Sequence, residues 1–124
     1  MIQVTFFANS VSQDDKKLIC VAIVHTCDLY APAKSKEQSL IWNNKINQEF
    51  MNQVREEERE GLPITSFLVG LDNMKIRAKN ETSFIEFIVM PLWKSLNEFF
   101  DGKLEELITN CENNKQYWKG MLEN

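Results

Sequence analysis

The sequence predicts an all-α fold, and three observations carry that expectation. Apolar residues recur at helical intervals over most of the chain, acids or hydroxyls open the periodic segments, and glycine and proline punctuate their ends. Those two residues are otherwise scarce, 4 and 3 among 124, which argues against a disordered chain or a loop-rich disulfide scaffold.

The first helix is expected over residues 13–29, QDDKKLICVAIVHTCDL. Ser12 stands where an N-cap belongs, and Asp14 and Asp15 fall in the first turn, where the helix dipole favours acids. Leu18, Ile19, Val21, Ala22 and Val24 follow almost without a polar break, so the segment reads as buried. Pro32 disfavours helical geometry at Ala31, which stops the helix near Leu29 or Tyr30.

Residues 36–60 give the clearest amphipathic pattern, with Trp42, Ile46, Phe50 and Val54 at intervals of four and polar residues opposite. Its end, REEERE, is a solvated charge run, closed by Gly61 and Pro63. Residues 62–80 have no sustained period and are expected to form a long loop. From Glu81 the chain is apolar again, and Pro91 should kink or split that helix. Asp101 and Gly102 mark a turn, and a last helix carries Leu104, Leu107, Ile108, Cys111, Trp118, Met121 and Leu122 at helical spacing. The aromatic cluster of Phe84, Phe87 and Trp93 reads first as core.

The bulk numbers bound the function. A single domain over residues 1–124 is expected, long enough to bury about two-thirds of its unfolded surface. A formal charge of −4, from 18 acids and 14 bases, supplies no field for a polyanion, so nucleic acid and anionic membrane are poor partners. No window has the roughly 18 apolar residues of a membrane span, and the start, MIQVTFFANS, has no leader pattern. Three cysteines, Cys20, Cys27 and Cys111, lack metal-ligand spacing and read as core filler of a reduced protein. A cytoplasmic location is the expectation. Asn80 opens an N-E-T sequon, which without a secretory signal reads as accidental.

Taken alone, His25 and Asp28 share a face at a helix end, and their spacing leaves open a structural pair or half of a metal site. There is no second histidine, no H-E-x-x-H and no glycine-rich phosphate loop. The order of four separated blocks adds more. VHTCDLYAPAK, then WNNKINQEF, then ETSFIEFIVMPLW, then NCENNKQYW resembles the C-terminal part of the catalytic domain of class I 3′,5′-cyclic-nucleotide phosphodiesterases. That pattern runs V-H-x-A-D-[IL]-S-N-P, W-x-x-x-[IL]-x-x-E-F, Q-x-x-F-I-x-x-[IV]-x-P-[LT], N-x-x-x-[WY]. The similarity extends from about Leu18 to Met121.

The resemblance implies a helical array corresponding to the C-terminal part of that metal-dependent domain. In the complete family domain a zinc and a magnesium or manganese ion, bridged by hydroxide, hydrolyse cyclic AMP or cyclic GMP in signal transduction; metals suit this by deprotonating water near neutral pH. Asp28 falls on the family's C-terminal metal-ligand aspartate, and Ile46 and Phe84 on the two apolar jaws that sandwich the purine. Glu81 falls where the family has the glutamine that hydrogen-bonds the base. Because a carboxylate only accepts, Glu81 is expected to favour cyclic GMP, unless it is a first-turn acid of the next helix. Ala31 replaces an asparagine that lines the nucleotide pocket.

The histidine motifs that supply the general acid and the other metal ligands precede this segment in the family, and His25 is the only histidine here. No catalytic residue is therefore assigned in this chain, and the two metal ions are not expected to be held by it alone. Two alternatives stay open: a portion of a phosphodiesterase that works with a missing N-terminal part of the catalytic domain, or a non-catalytic helical interaction module.

Overall fold

The computed structural model describes residues 11–123; the first ten residues, where no leader pattern is read, lie outside the described part. Among the described residues there are helices and no strands. Five α-helices follow in order: α1 Gln13–Asp28, α2 Lys36–Glu60, α3 Met74–Phe84, α4 Met90–Phe99 and α5 Glu105–Glu123. Short 3₁₀ turns at Ala31–Ala33 and Ser66–Leu68 join α1 to α2 and α2 to α3.

The helix ends follow from local chemistry. Ser12 caps α1 by accepting from the Asp15 amide at 3.1 Å, and α1 ends at Asp28, four residues before Pro32. Gly61 closes α2 in the left-handed region at φ 65°, a conformation in which any Cβ is strained. The charge run before it is solvated at Arg59, which pairs with Glu56 and Glu60 on the surface. Glu57 is different: its carboxylate accepts from the Thr65 amide at 2.7 Å and the Thr65 hydroxyl at 2.8 Å, pinning the chain that leaves α2.

The expected loop over 62–80 ends earlier than its composition suggested. Asn73 caps α3, its side-chain oxygen accepting from Lys75 N at 2.9 Å and Ile76 N at 3.3 Å, so residues 74–80 are helical. Pro91 does not split the next segment. Helical structure runs from Met74 to Phe99, and a π-helical turn at Ile85–Val89 directly precedes the proline. There the Met90 N–H bonds to Ile85 O, five residues back. This wider turn comes where Pro91 withdraws a donor from the ordinary ladder.

The core forms where α5 packs along α3, the π turn and α4, with the Ala31–Ala33 turn against α5. Ala33, Ala78, Ile85, Val89, Met90, Trp93, Cys111 and Trp118 are its buried members. Burial pushes the Cys111 thiol up to about 12, with Glu112 adding to the shift, so that cysteine is inert filler. Cys20 and Cys27, in contrast, are exposed, which corrects the expectation for two of the three.

A further expectation about burial, that of α1, is overturned. In α1, Leu18 is 67% and Val24 63% exposed, because α1 meets the rest of the chain chiefly at α4. In α2 the buried residues are Ser39, Asn43 and Asn47, while Trp42, Ile46 and Phe50 lie outside the core. Hydrophobic periodicity locates an apolar face but does not say what that face meets. Among the three aromatics read as core, Trp93 is buried, Phe84 packs at its edge and Phe87 is 73% exposed.

Candidate functional site

A cleft of about 590 Å³ opens between α2 and the α3–π segment, floored by the end of α1. That volume falls in the range of small-molecule sites. Asp28, Ile46, Glu81 and Phe84 all line it, although they come from four separate positions along the chain. Ile46 and Phe50 project from α2, Phe84 and Phe87 from the opposite side, and Leu68 and Leu71 close one flank. The lining is mostly apolar, and Asp28 and Glu81 are its charged members.

Asp28 reaches the cleft because α1 stops there. The Ala31–Ala33 turn that follows is fastened from α5: Asn114 Nδ2 donates to Pro32 O at 2.8 Å and Lys34 O at 3.0 Å, and Asn110 Nδ2 to Ala33 O at 3.0 Å. Trp93 Nε1 adds a long bond of 3.4 Å to Leu29 O. The buried turn thereby has donors for carbonyls that helical pairing leaves open. Ala31 and Pro32 line the cleft beside Asp28, whereas His25 is an exposed residue of the last turn of α1 outside it.

Glu81 is the eighth residue of α3, well inside the helix, so it is no first-turn acid. Burial raises its carboxyl above the ordinary glutamate range, against the opposing pull of the Asn43 amide, the Arg77 guanidinium and the Asn47 amide. Arg77 sits one turn earlier. Its Nε donates to Asn43 Oδ1 at 2.6 Å, its Nη2 donates to Asn43 Oδ1 and to Asn44 Oδ1, and it lies over the Trp118 ring. Desolvation lowers the guanidinium, with Glu81 and Tyr117 acting against that shift. Asn47 Nδ2 donates to Asn43 O at 2.8 Å and to Asn43 Oδ1 at 3.1 Å.

Sequence reasoning missed Asn43, Asn47 and Arg77. A polar stripe on an amphipathic helix reads as a solvent face, and Ser39, Asn43 and Asn47 lie on such a stripe. Their chemistry held the signal: a stripe of amides and hydroxyls without charge at i, i+4 and i+8 suits a buried hydrogen-bonding seam better than a solvated face.

Among the described residues no group of three or more His, Cys, Asp or Glu side chains could hold an ion, and Asp28 is one carboxylate where a catalytic zinc needs about three protein ligands.

A helical cleft with one carboxylate on its floor and apolar walls agrees with what the chain matches. The family model of 3′5′-cyclic nucleotide phosphodiesterase matches residues 2–111, and the chain belongs to that family. It is 33% identical over 117 residues to the probable 3′,5′-cyclic phosphodiesterase pde-3 of Caenorhabditis elegans, covering 90% of this chain and 17% of that protein. It is 26% identical over 110 residues to the high affinity cAMP-specific and IBMX-insensitive 3′,5′-cyclic phosphodiesterase 8A of Homo sapiens, covering 89% of this chain and 13% of that one. In structure it superposes on the phosphodiesterase domain of the RhoPDE fusion protein from the choanoflagellate Salpingoeca rosetta with a TM-score of 0.82 and 30% identity, over 90% of this chain and 35% of that domain. The chain thus spans about a third of the solved domain and a smaller share of the curated relatives. No helix among the described residues is long and apolar enough to cross a membrane.

Proposed function

We propose that this chain is the base-binding portion of a cyclic-nucleotide phosphodiesterase catalytic domain. Ile46 and Phe84 sandwich the purine, Glu81 meets its edge, and Asp28 contributes one carboxylate to a metal pair whose other ligands come from outside this chain. The observation that carries the proposal is convergence: residues assigned separately from three sequence blocks line one apolar cleft. The exposed apolar side of α1, with Leu18, Val21 and Val24, is the surface we assign to the N-terminal part of the domain. Within this reading the substrate is a cyclic nucleotide, the chain works in the cytoplasm, and cyclic GMP is favoured because a carboxylate accepts from both N1–H and the 2-amino group of guanine.

A second reading, a non-catalytic interaction module, is favoured by Ala31 and Glu81, which replace the asparagine and glutamine of the family pattern. Complementation separates the two. The chain is co-expressed with the N-terminal part of a related catalytic domain that carries the histidine motifs. Under the enzyme reading the pair hydrolyses cyclic nucleotide and Asp28→Ala abolishes the activity. Formation of the complex with no hydrolysis above the partner alone overturns the enzyme reading in favour of the module.

A further inference from the structure

One polar side chain of the cleft takes no part in the bonds that hold the fold. Ser39 is the fourth residue of α2, is only 6% exposed and lines the cleft. A helical serine turned away from solvent commonly bonds the carbonyl four residues back, as Thr26 does to Ala22 O at 2.7 Å in α1. Ser39 does not: among the described residues its hydroxyl has no hydrogen-bond partner. Among those residues the side-chain atom that is both sealed from solvent and unpaired is Thr82 Oγ1. The Ser39 hydroxyl therefore keeps some access to solvent, and the cleft is where it has it.

We propose that Ser39 is a ligand-binding residue of this cleft, its hydroxyl bonding an oxygen of the ribose cyclic phosphate. This inference rests on the cleft being the base site. Ser39 comes seven residues before Ile46 on α2, about 10 Å along the helix axis. α2 begins soon after the Ala31–Ala33 turn and packs against it, so Ser39 stands at the end of the cleft floored by Asp28 and Ala31. A purine held between Ile46 and Phe84 with its sugar directed at Asp28 carries the ribose cyclic phosphate past Ser39. A hydroxyl both donates and accepts, so it serves a ribose hydroxyl or a phosphate oxygen, and cyclic AMP and cyclic GMP share both. Ser39 thus adds affinity without choosing between the bases.

The free chain bears a cost for this arrangement. A hydroxyl withdrawn from bulk water without a fixed partner is destabilising, whereas an apolar side chain of similar shape in its place is neutral or stabilising. Asn43 and Asn47, further along the same stripe, differ in being bonded to each other. A serine kept for the fold loses stability when its hydroxyl is removed; one kept for a ligand loses affinity alone.

The test titrates the 124-residue chain with cyclic AMP and with cyclic GMP, following the Ile46 methyl and Phe84 ring signals by NMR, and unfolds each variant in urea. Ser39→Ala should weaken both nucleotides by about tenfold, leave the ratio between them unchanged, and hold or raise the urea midpoint. Ser39→Thr, which keeps the hydroxyl, should bind within about threefold of the wild type. With 2′-deoxy cyclic AMP the loss in Ser39→Ala should vanish if the partner is the 2′-hydroxyl and persist if it is a phosphate oxygen; either result supports the proposal and names the atom. Unchanged affinity in Ser39→Ala, a loss confined to one nucleotide, or a lowered urea midpoint overturns the role of Ser39 while leaving the base site standing. Ser39→Thr as weak as Ser39→Ala traces the loss to fit and overturns it as well. Ile46 and Phe84 signals unmoved by either nucleotide in the wild type overturn the base-site reading itself, and the role of Ser39 with it.

Discussion

The buried amide of Asn114 in α5 donates to the backbone oxygen of Pro32 at 2.8 Å, a bond between residues 82 apart in sequence. A second bond from the same nitrogen reaches Lys34 O at 3.0 Å, so one side chain fixes the turn that follows Asp28. The geometry of the cleft floor is thus set from the far end of the chain.

Replacing Asn114 with leucine, a side chain of similar size, should expose the cost of that arrangement. Two carbonyls in a buried turn lose their donor, and Asn114 is only 3% exposed, so water does not easily take its place. We expect a loss of about 1–3 kcal/mol, read as a lower urea midpoint. Asn110→Ala, at a half-buried site with one such bond, should cost less. Equal, negligible changes in both would mean that the turn holds itself.

The Glu81 carboxyl predicts a pH dependence of stability with a definite sign. Burial raises it above the value of an unfolded glutamate, so the folded chain binds the proton more tightly. Its stabilising contribution is full below the unfolded value and is lost as pH rises through the folded one. Glu81→Gln should therefore flatten the decline in stability on the alkaline side of the ordinary glutamate range and raise the melting temperature at neutral pH. Thermal melts of both proteins from mildly acidic to neutral pH check this, and parallel curves would contradict it.

How far the sequence reveals the fold depends on the kind of signal each element carries. α1, α2 and α5 are legible because caps and periodic apolar residues announce them, and the end of α1 is legible from Pro32. The start of α3 is not, because its buried positions, Ala78 and Thr82, are small or polar and leave no apolar period. The four assigned site residues are legible only through the family pattern; their positions do meet in one cleft. The seam of Asn43, Asn47 and Arg77 is illegible for a physical reason: polar residues buried in mutual hydrogen bonds have the same composition as a solvated face.

The exposed apolar side of α1 should tolerate polar residues without loss of stability. Leu18 and Val24 are more than half exposed, so Leu18→Gln and Val24→Thr remove little buried surface and should stay within about 0.5 kcal/mol of the parent. Their effect should appear in association instead. An apolar face left in water favours self-contact, and sedimentation of the double variant should give more monomer than the parent at equal concentration. A double variant that melts well below the parent would place this face in contact with the rest of the chain.

A last comparison separates the core of the π turn from its cleft side. Ile85 and Phe87 lie two residues apart in that turn, yet Ile85 is 0% exposed and Phe87 73%. Ile85→Ala empties a packed site among Ala78, Val89 and Cys111 of the same core and should cost about 2–5 kcal/mol. Phe87→Ala removes a larger side chain that water already reaches, so its cost should be under about 1 kcal/mol. Its consequence belongs to the cleft, whose lining it shares with Phe84 and Ile88: weaker nucleotide binding with an unchanged urea midpoint. A large stability loss in Phe87→Ala would return that ring to the core, where its place in an aromatic run first put it.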